Sequence, residues 1–227
     1  MLYLPSIPSP LFWILLISCF VLFIVMLKIM AGQSKHFKFQ RGVAITSFSI
    51  MDLEFPGNEA SICNIINGIH KLPEPANRDS LAALNGNLRA DFLFMAAVYP
   101  FIALLCYHTA ELMQHFGRWV FLILAVLQIV AWVFDILENK YLLHKIKHPY
   151  PAQPKRFQQY KKMVLTKWAF ATTGLVTALS AHVYFWVTGL YGKFFYAFAI
   201  ALLLFFAAII IWKIMSARQA FFGKTSS

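Results

Sequence analysis

Residues Val120 to Lys140 read Val-Phe-Leu-Ile-Leu-Ala-Val-Leu-Gln-Ile-Val-Ala-Trp-Val-Phe-Asp-Ile-Leu-Glu-Asn-Lys, and this stretch decides the fold. Its apolar run is long enough to cross a hydrocarbon core as a helix, and it ends in two carboxylates and an amide. Asp135 and Glu138 stand three residues apart, so both project from nearly the same side of that helix. That side must face protein or water. A charge inside a span is costly to insert, which makes it a functional-site hypothesis by default, although two acids and an amide do not name a reaction.

Working outward, the composition fixes the class. Hydrophobic residues make up 60% of the 227 and the mean hydropathy is +0.65, well beyond an ordinary soluble domain. The chain reads as a polytopic, all-α integral membrane protein, multi-pass in a plasma or inner membrane. Its net charge of +11 comes from basic residues bordering apolar runs, the pattern of the positive-inside rule, and not from a nucleic-acid surface. Cys19, Cys63 and Cys106 are far apart with no C-x-x-C pair, so thiol redox chemistry and a thiolate zinc site lack their residues.

Five spans are expected: about Leu11 to Met30, Phe92 to Met113, Trp119 to Asn139, Met163 to Leu190 and Phe194 to Met215. Seven Lys and Arg fall in Lys28 to Arg89, seven in Lys140 to Lys162 and three in Lys213 to Lys224, against Arg118 and Lys193 in the opposite turns. This asymmetry places the N-terminus outside and the C-terminus in the cytosol. The basic residues nearest the first apolar run follow it, unlike a secretory signal, so that run is expected to stay as a span. Leu16-Ile17-Ser18-Cys19 resembles a lipoprotein cleavage box but lacks the basic lead-in, and a buried cysteine is the simpler reading. The organisation is then a first span over 1–31, a cytosolic segment over 32–90, a four-helix transmembrane core over 91–216 and a cytosolic tail over 217–227.

Within the cytosolic segment, Val43 to Phe55 is rich in β-favouring residues and reads as extended. Pro56-Gly57-Asn58 then punctuates the chain. Asn58 can cap a short amphipathic helix whose Ile62, Ile65, Ile66 and Ile69 recur at helical spacing, with Asn64, Asn67 and His70 on other faces. Residues 58–72 are either a gate, a docking element for a protein partner, or a structural reentry helix on the bilayer or bundle. After Pro73-Glu74-Pro75, Asn77 or Asp79 can start a long helix running into the second span. Phe116-Gly117-Arg118-Trp119 and Tyr191-Gly192-Lys193-Phe194 share the order aromatic, glycine, basic, aromatic, which suggests two outer turns of one design, though chance explains it equally well.

Depth along the helices sorts the polar residues into two levels. Asp135, Glu138, Asn139, Asp91 and Lys167 lie toward the cytosolic face. They form either a ligand-binding cluster for a proton, cation or head group, or ion pairs that lock helices through Lys167 or Arg89. His108, Glu111 and His182 lie toward the outer face, as a zinc or proton-relay set or as hydrogen-bonded histidines near water. The separation of Glu111 from Glu138 argues against one carboxylate-bridged di-metal site. His115 falls in the outer turn. His144 and His148 stand four apart among Lys140, Lys145 and Lys147, a pattern suited to a metal or, more simply, to a basic lipid-facing segment.

There is no H-E-x-x-H, G-x-S-x-G, P-loop or multiple-histidine box, the residues name no cofactor, and Lys167 is too near a helix start to suggest retinal. Three function classes remain: a protein binding or transporting a proton, cation or small solute; a lipid-modifying enzyme using the same acids; and an accessory subunit whose acids only lock helices.

Overall fold

Each apolar run among the described residues forms one long helix, and the polar segment between the first two folds into a small unit docked at one end of them. The structure is a computed structural model describing residues 9–150 and 154–189. The elements are α1 (Ser9–Ser34), β1 (Lys38–Arg41), β2 (Ala44–Ser47), α2 (Ile50–Glu54), α3 (Glu59–His70), α4 (Ala76–Leu112), α5 (His115–Lys147) and α6 (Pro154–Val187). Among the described residues four helices, α1, α4, α5 and α6, are long and apolar enough to cross a membrane, compatible with a multi-pass membrane protein. The expected fifth span, the Tyr191 to Phe194 turn and the tail lie outside the described residues. The chain divides into two compact units, residues 1–178 and 179–227, and all eight elements belong to the first except the last turns of α6.

Helix α5 carries its apolar side chains outward as well as inward. Ile123, Val126, Ile129, Val133 and Leu137 are all exposed at helical spacing, an arrangement compatible with a lipid-facing surface. On its other face Ala131 packs with Met95 and Tyr99 of α4. Helix α1 packs on α4 through Phe20 against Phe101 and Phe23 against Phe94, and the Asn87 amide of α4 donates to the Met30 carbonyl.

The polar segment is not wholly helical, and here the expectation of extended chain from Val43 to Phe55 is corrected. Extended structure is confined to a hairpin, β1 against β2, in register Lys38↔Ser47 to Arg41↔Ala44. Its two-residue turn is Gly42-Val43, with Gly42 at φ +65°, where a glycine is the favoured residue. Ile50 to Glu54 is helix because the Asp52 carboxylate turns back to accept the Ser49 backbone N–H at 2.7 Å, satisfying a donor at the helix start. As the sequence suggests, Asn58 caps α3: its Oδ1 accepts the Ser61 N–H at 2.9 Å. The hairpin lies across α3 at Gly68, where a β-carbon would stand 2.6 Å from the Gln40 carbonyl oxygen.

The core of this unit joins it to the long helices. Phe37 and Phe48 of the hairpin region, Leu53 of α2, and Ile62, Ile66 and Ile69 of α3 pack with Leu84, Leu88, Leu142, Ile146, Tyr160 and Val164. The apolar face of α3 is therefore spent on α4, α5 and α6.

Three boundaries differ from the sequence reading. The connection between α4 and α5 is Met113-Gln114, so Phe116 to Trp119 belong to the first turns of α5 and not to a turn. Gly117 allows this tight connection, since a β-carbon there would lie 3.2 Å from the Met113 sulfur. His115, at φ 46°, is the first residue of α5. At the other end α5 continues past Asn139 to Lys147 and α6 begins at Pro154, so Lys167 is well inside α6, not near its start.

Candidate functional site

Helix α5 brings Asp135 and Glu138 to one face, as their spacing requires, and α6 presents Lys167 to them. The Lys167 Nζ lies 2.6 Å from Asp135 Oδ1 and 2.6 Å from Glu138 Oε2. A third carboxylate reaches the same ammonium: Glu54 Oε2, at the end of α2, lies 3.6 Å away. One ammonium thus faces three carboxylates.

The surrounding polar groups are unevenly distributed among these acids. Tyr99 of α4 donates its hydroxyl to Asp135 Oδ2 at 2.8 Å. The Trp168 indole N–H donates to Glu54 Oε2 at 3.0 Å. Among the described residues Glu138 Oε2 meets only the Lys167 ammonium, and no donor reaches its buried Oε1. Next to it, the Asn139 amide donates to Asp91 Oδ2 at 2.6 Å and to the Leu88 carbonyl at 3.4 Å. The structure therefore brings together Asp135, Glu138 and Lys167, joins Asp91 to Asn139 beside them, and leaves Arg89 exposed and outside the cluster.

Access differs from side to side. Between α4 and α5 runs an apolar groove of about 630 Å³, walled by Leu104, Tyr107, Val126, Trp132 and by Tyr99 and Gln128. On the α2 side a more polar groove of about 900 Å³ lies between the hairpin and α3, lined by Arg41, Asp52, Phe55, Asn64, Asn67 and Lys71 among others.

No known protein family, characterised protein or solved structure matches the chain. The side chains alone carry the chemical reading.

A second buried lysine lies in the same half of the first unit. Lys145 of α5 pairs with Glu59 of α3 at 2.6 Å and donates to the Tyr150 carbonyl at 2.6 Å. The Tyr141 hydroxyl donates to the same Glu59 oxygen at 3.0 Å. Within the basic segment Lys140 to His148, Lys145 is buried with Glu59 as its counter-charge, while Lys140, His144, Lys147 and His148 are exposed. His144 and His148 do approach, with ring centroids 4.9 Å apart. One turn from Glu59, burial lifts the Cys63 thiol above its ordinary pKa, with Glu59 reinforcing and Lys145 opposing that shift.

The outer residues are less developed. His108 Nδ1 lies 3.3 Å from Glu111 Oε2, and its ring stacks on Phe12 at 4.5 Å. His182 belongs to the second unit, where its ring meets Phe185 edge-on. Among the described residues no three His, Cys, Asp or Glu side chains form a group able to hold a metal ion.

Glu54 and Tyr99 escaped the sequence reading. Glu54 sits in a segment read as extended and cytosolic, and nothing in its neighbours announces a partner over a hundred positions away. Its one signal is scarcity: with nine acids in the chain, one flanked by Leu53 and Phe55 is a candidate for burial.

Proposed function

We propose that this chain is a five-span membrane protein, N-terminus outside and C-terminus cytosolic, whose carboxylate cluster around Lys167 binds and exchanges a proton. The span count rests on the four long helices together with the apolar stretch from Phe194 to Met215. The orientation rests on the distribution of Lys and Arg.

The observation that carries the proton reading is that, among the described residues, three carboxylates meet one buried ammonium, and Glu138 has no polar partner besides that ammonium. An uncompensated ion in such surroundings costs several kcal/mol. A shared proton removes that cost and supplies Glu138 with a donor. A metal ion fits less well, because the ammonium already occupies the place between Asp135 and Glu138. The competing reading, ion pairs that only lock helices, is favoured by the two short contacts to Lys167.

Infrared spectroscopy of the purified full chain in lipid nanodiscs at neutral pH separates the two. A protonated carboxylic-acid band that Glu138→Gln removes is the expected result. Absence of such a band in the wild type, with a pH jump releasing no proton from the cluster, leaves only the lock.

A further inference from the structure

The three carboxylates around Lys167 are not equivalent. Glu138 and Asp135 sit on a rigid helix, with side chains 1% and 7% exposed and contacts of 2.6 Å. Glu54 is held by a five-residue helix, is 14% exposed and stands off at 3.6 Å. It is both the loosest partner of Lys167 and the one nearest solvent.

Its surroundings lead outward. The next residue, Phe55, lines the polar groove between the hairpin and α3 and packs against Trp168 with centroids 6.3 Å apart. Trp168 in turn holds Glu54. Asp52, two residues before Glu54, lines the same groove. The opposite approach, between α4 and α5, is walled by apolar side chains and by Tyr99, whose hydroxyl is committed to Asp135.

We infer that Glu54 is the access group of the cluster: protons pass between the hairpin–α3 groove and Glu138 by way of the Glu54 carboxylate, past the Phe55–Trp168 contact. The inference rests on the proton-exchange reading and adds the residue and the route. No bond other than O–H is made or broken. A proton leaves water for a Glu54 oxygen and is passed to a Glu138 oxygen, and the reverse transfer releases it. Among the described residues, the charged and titratable groups facing this path are Asp135 and Glu138 from α5, Lys167 and Tyr160 from α6, Asp91 and Tyr99 from α4, Asp52 and Glu54 from α2, and, in the groove, Arg41 of the hairpin with His70 and Lys71 at the end of α3. Glu54 supplies a negative charge on the more exposed side of the cluster, next to the groove-lining Phe55, and a carboxylate so placed raises the local concentration and arrival rate of a cation.

The test tracks the Glu138-dependent infrared band after rapid mixing of the full chain, in nanodiscs, into D2O. In Glu54→Gln, which keeps an acceptor for the Trp168 N–H, the band is expected to persist while its shift to the deuterated position slows at least about tenfold. Glu54→Asp keeps the charge and is expected to exchange within about threefold of the wild type, which also controls for damage to α2. A band present in all three proteins and exchanging equally fast overturns the role of Glu54 and leaves the proton reading standing. A wild type with no such band overturns the proton reading itself. If Glu54→Gln is too unstable to purify, Phe55→Ala is measured instead: opening the groove is expected to speed exchange, and an unchanged rate counts against the route.

Discussion

Two buried lysines, twenty-two positions apart in sequence, solve the same problem in opposite ways. Lys145 meets one carboxylate, Glu59, and that carboxylate also receives the Tyr141 hydroxyl. Charge balances, and the lysine has a further acceptor in the Tyr150 carbonyl. Lys167 meets three carboxylates, of which one, Glu138, has no polar partner among the described residues besides that ammonium. Both fasten the polar segment to the long helices, since Glu59 comes from α3 and Glu54 from α2. On the proposed reading the difference lies in the count: Glu59 faces one ammonium with the Tyr141 hydroxyl beside it, whereas three carboxylates share the Lys167 ammonium. Burial of an ion pair is therefore not itself a sign of function, and the proposal rests on the mismatch in count.

The largest expected effects come from removing each lysine. Lys167→Met takes the ammonium from three acids and Lys145→Met from one, and each is expected to cost on the order of 3–5 kcal/mol, with Lys167→Met the more severe. Thermal unfolding of the purified protein in detergent gives the ranking. Double substitutions sharpen it. Glu59→Gln with Lys145→Met is expected to recover most of the loss, because removing both partners of an ion pair is often close to neutral. Asp135→Asn with Lys167→Met is not, because Glu138 remains buried and Glu54 half-buried without a cation. Equal rescue at both sites would erase the distinction between lock and overloaded cluster.

A smaller effect separates the acids. Glu59→Gln leaves Lys145 buried without its counter-charge and is expected to destabilise by roughly 3 kcal/mol. Glu138→Gln removes a surplus carboxylate and leaves Lys167 with Asp135 and Glu54, so its cost is expected to be no more than about 1 kcal/mol. A loss at Glu138 as large as that at Glu59 would mean that the cluster is a structural network with all its members required.

These two sites also show what a sequence can and cannot disclose. The long helices were legible because continuous apolar runs leave few alternatives, and the α3 cap was legible because Asn58 and the isoleucine spacing act within one or two turns. Asp135, Glu138 and Lys167 could be grouped because depth along a helix is set by its rise. Their partners Glu54 and Tyr99 could not, since each depends on packing between elements distant in the chain. Lys145 misled for a related reason: its basic neighbours Lys140 and Lys147 suggest an exposed segment, and only the docking of α3 supplies Glu59. The helical start at Ile50 was hidden by β-favouring residues ahead of it, where a local Asp52 hydrogen bond outweighs intrinsic preference.

The smallest effect reads the state of the balanced pair without disturbing the other. Cys63 lies one turn after Glu59 on α3 and is buried, and burial holds its thiol above the ordinary value. Since only the thiolate reacts, alkylation of the wild type at neutral pH is expected to be slow and to accelerate only as pH rises well above the range of a free thiol. A folded-state pKa above the unfolded one contributes stability that is complete below the unfolded value and is lost as pH rises through the folded value. Lys145 opposes the shift, so in Lys145→Met two effects compete at Cys63. Loss of the nearby positive charge alone would slow alkylation further. Loosening of α3 from α5 would speed it, because local opening exposes the thiol and returns it toward its ordinary value. The lock reading requires the second, so Lys145→Met is expected to react several-fold faster than wild type at the same pH, with Lys167→Met closer to wild type. A slower reaction in Lys145→Met would show that α3 stays seated without the pair, held by Ile62, Ile66 and Ile69 alone.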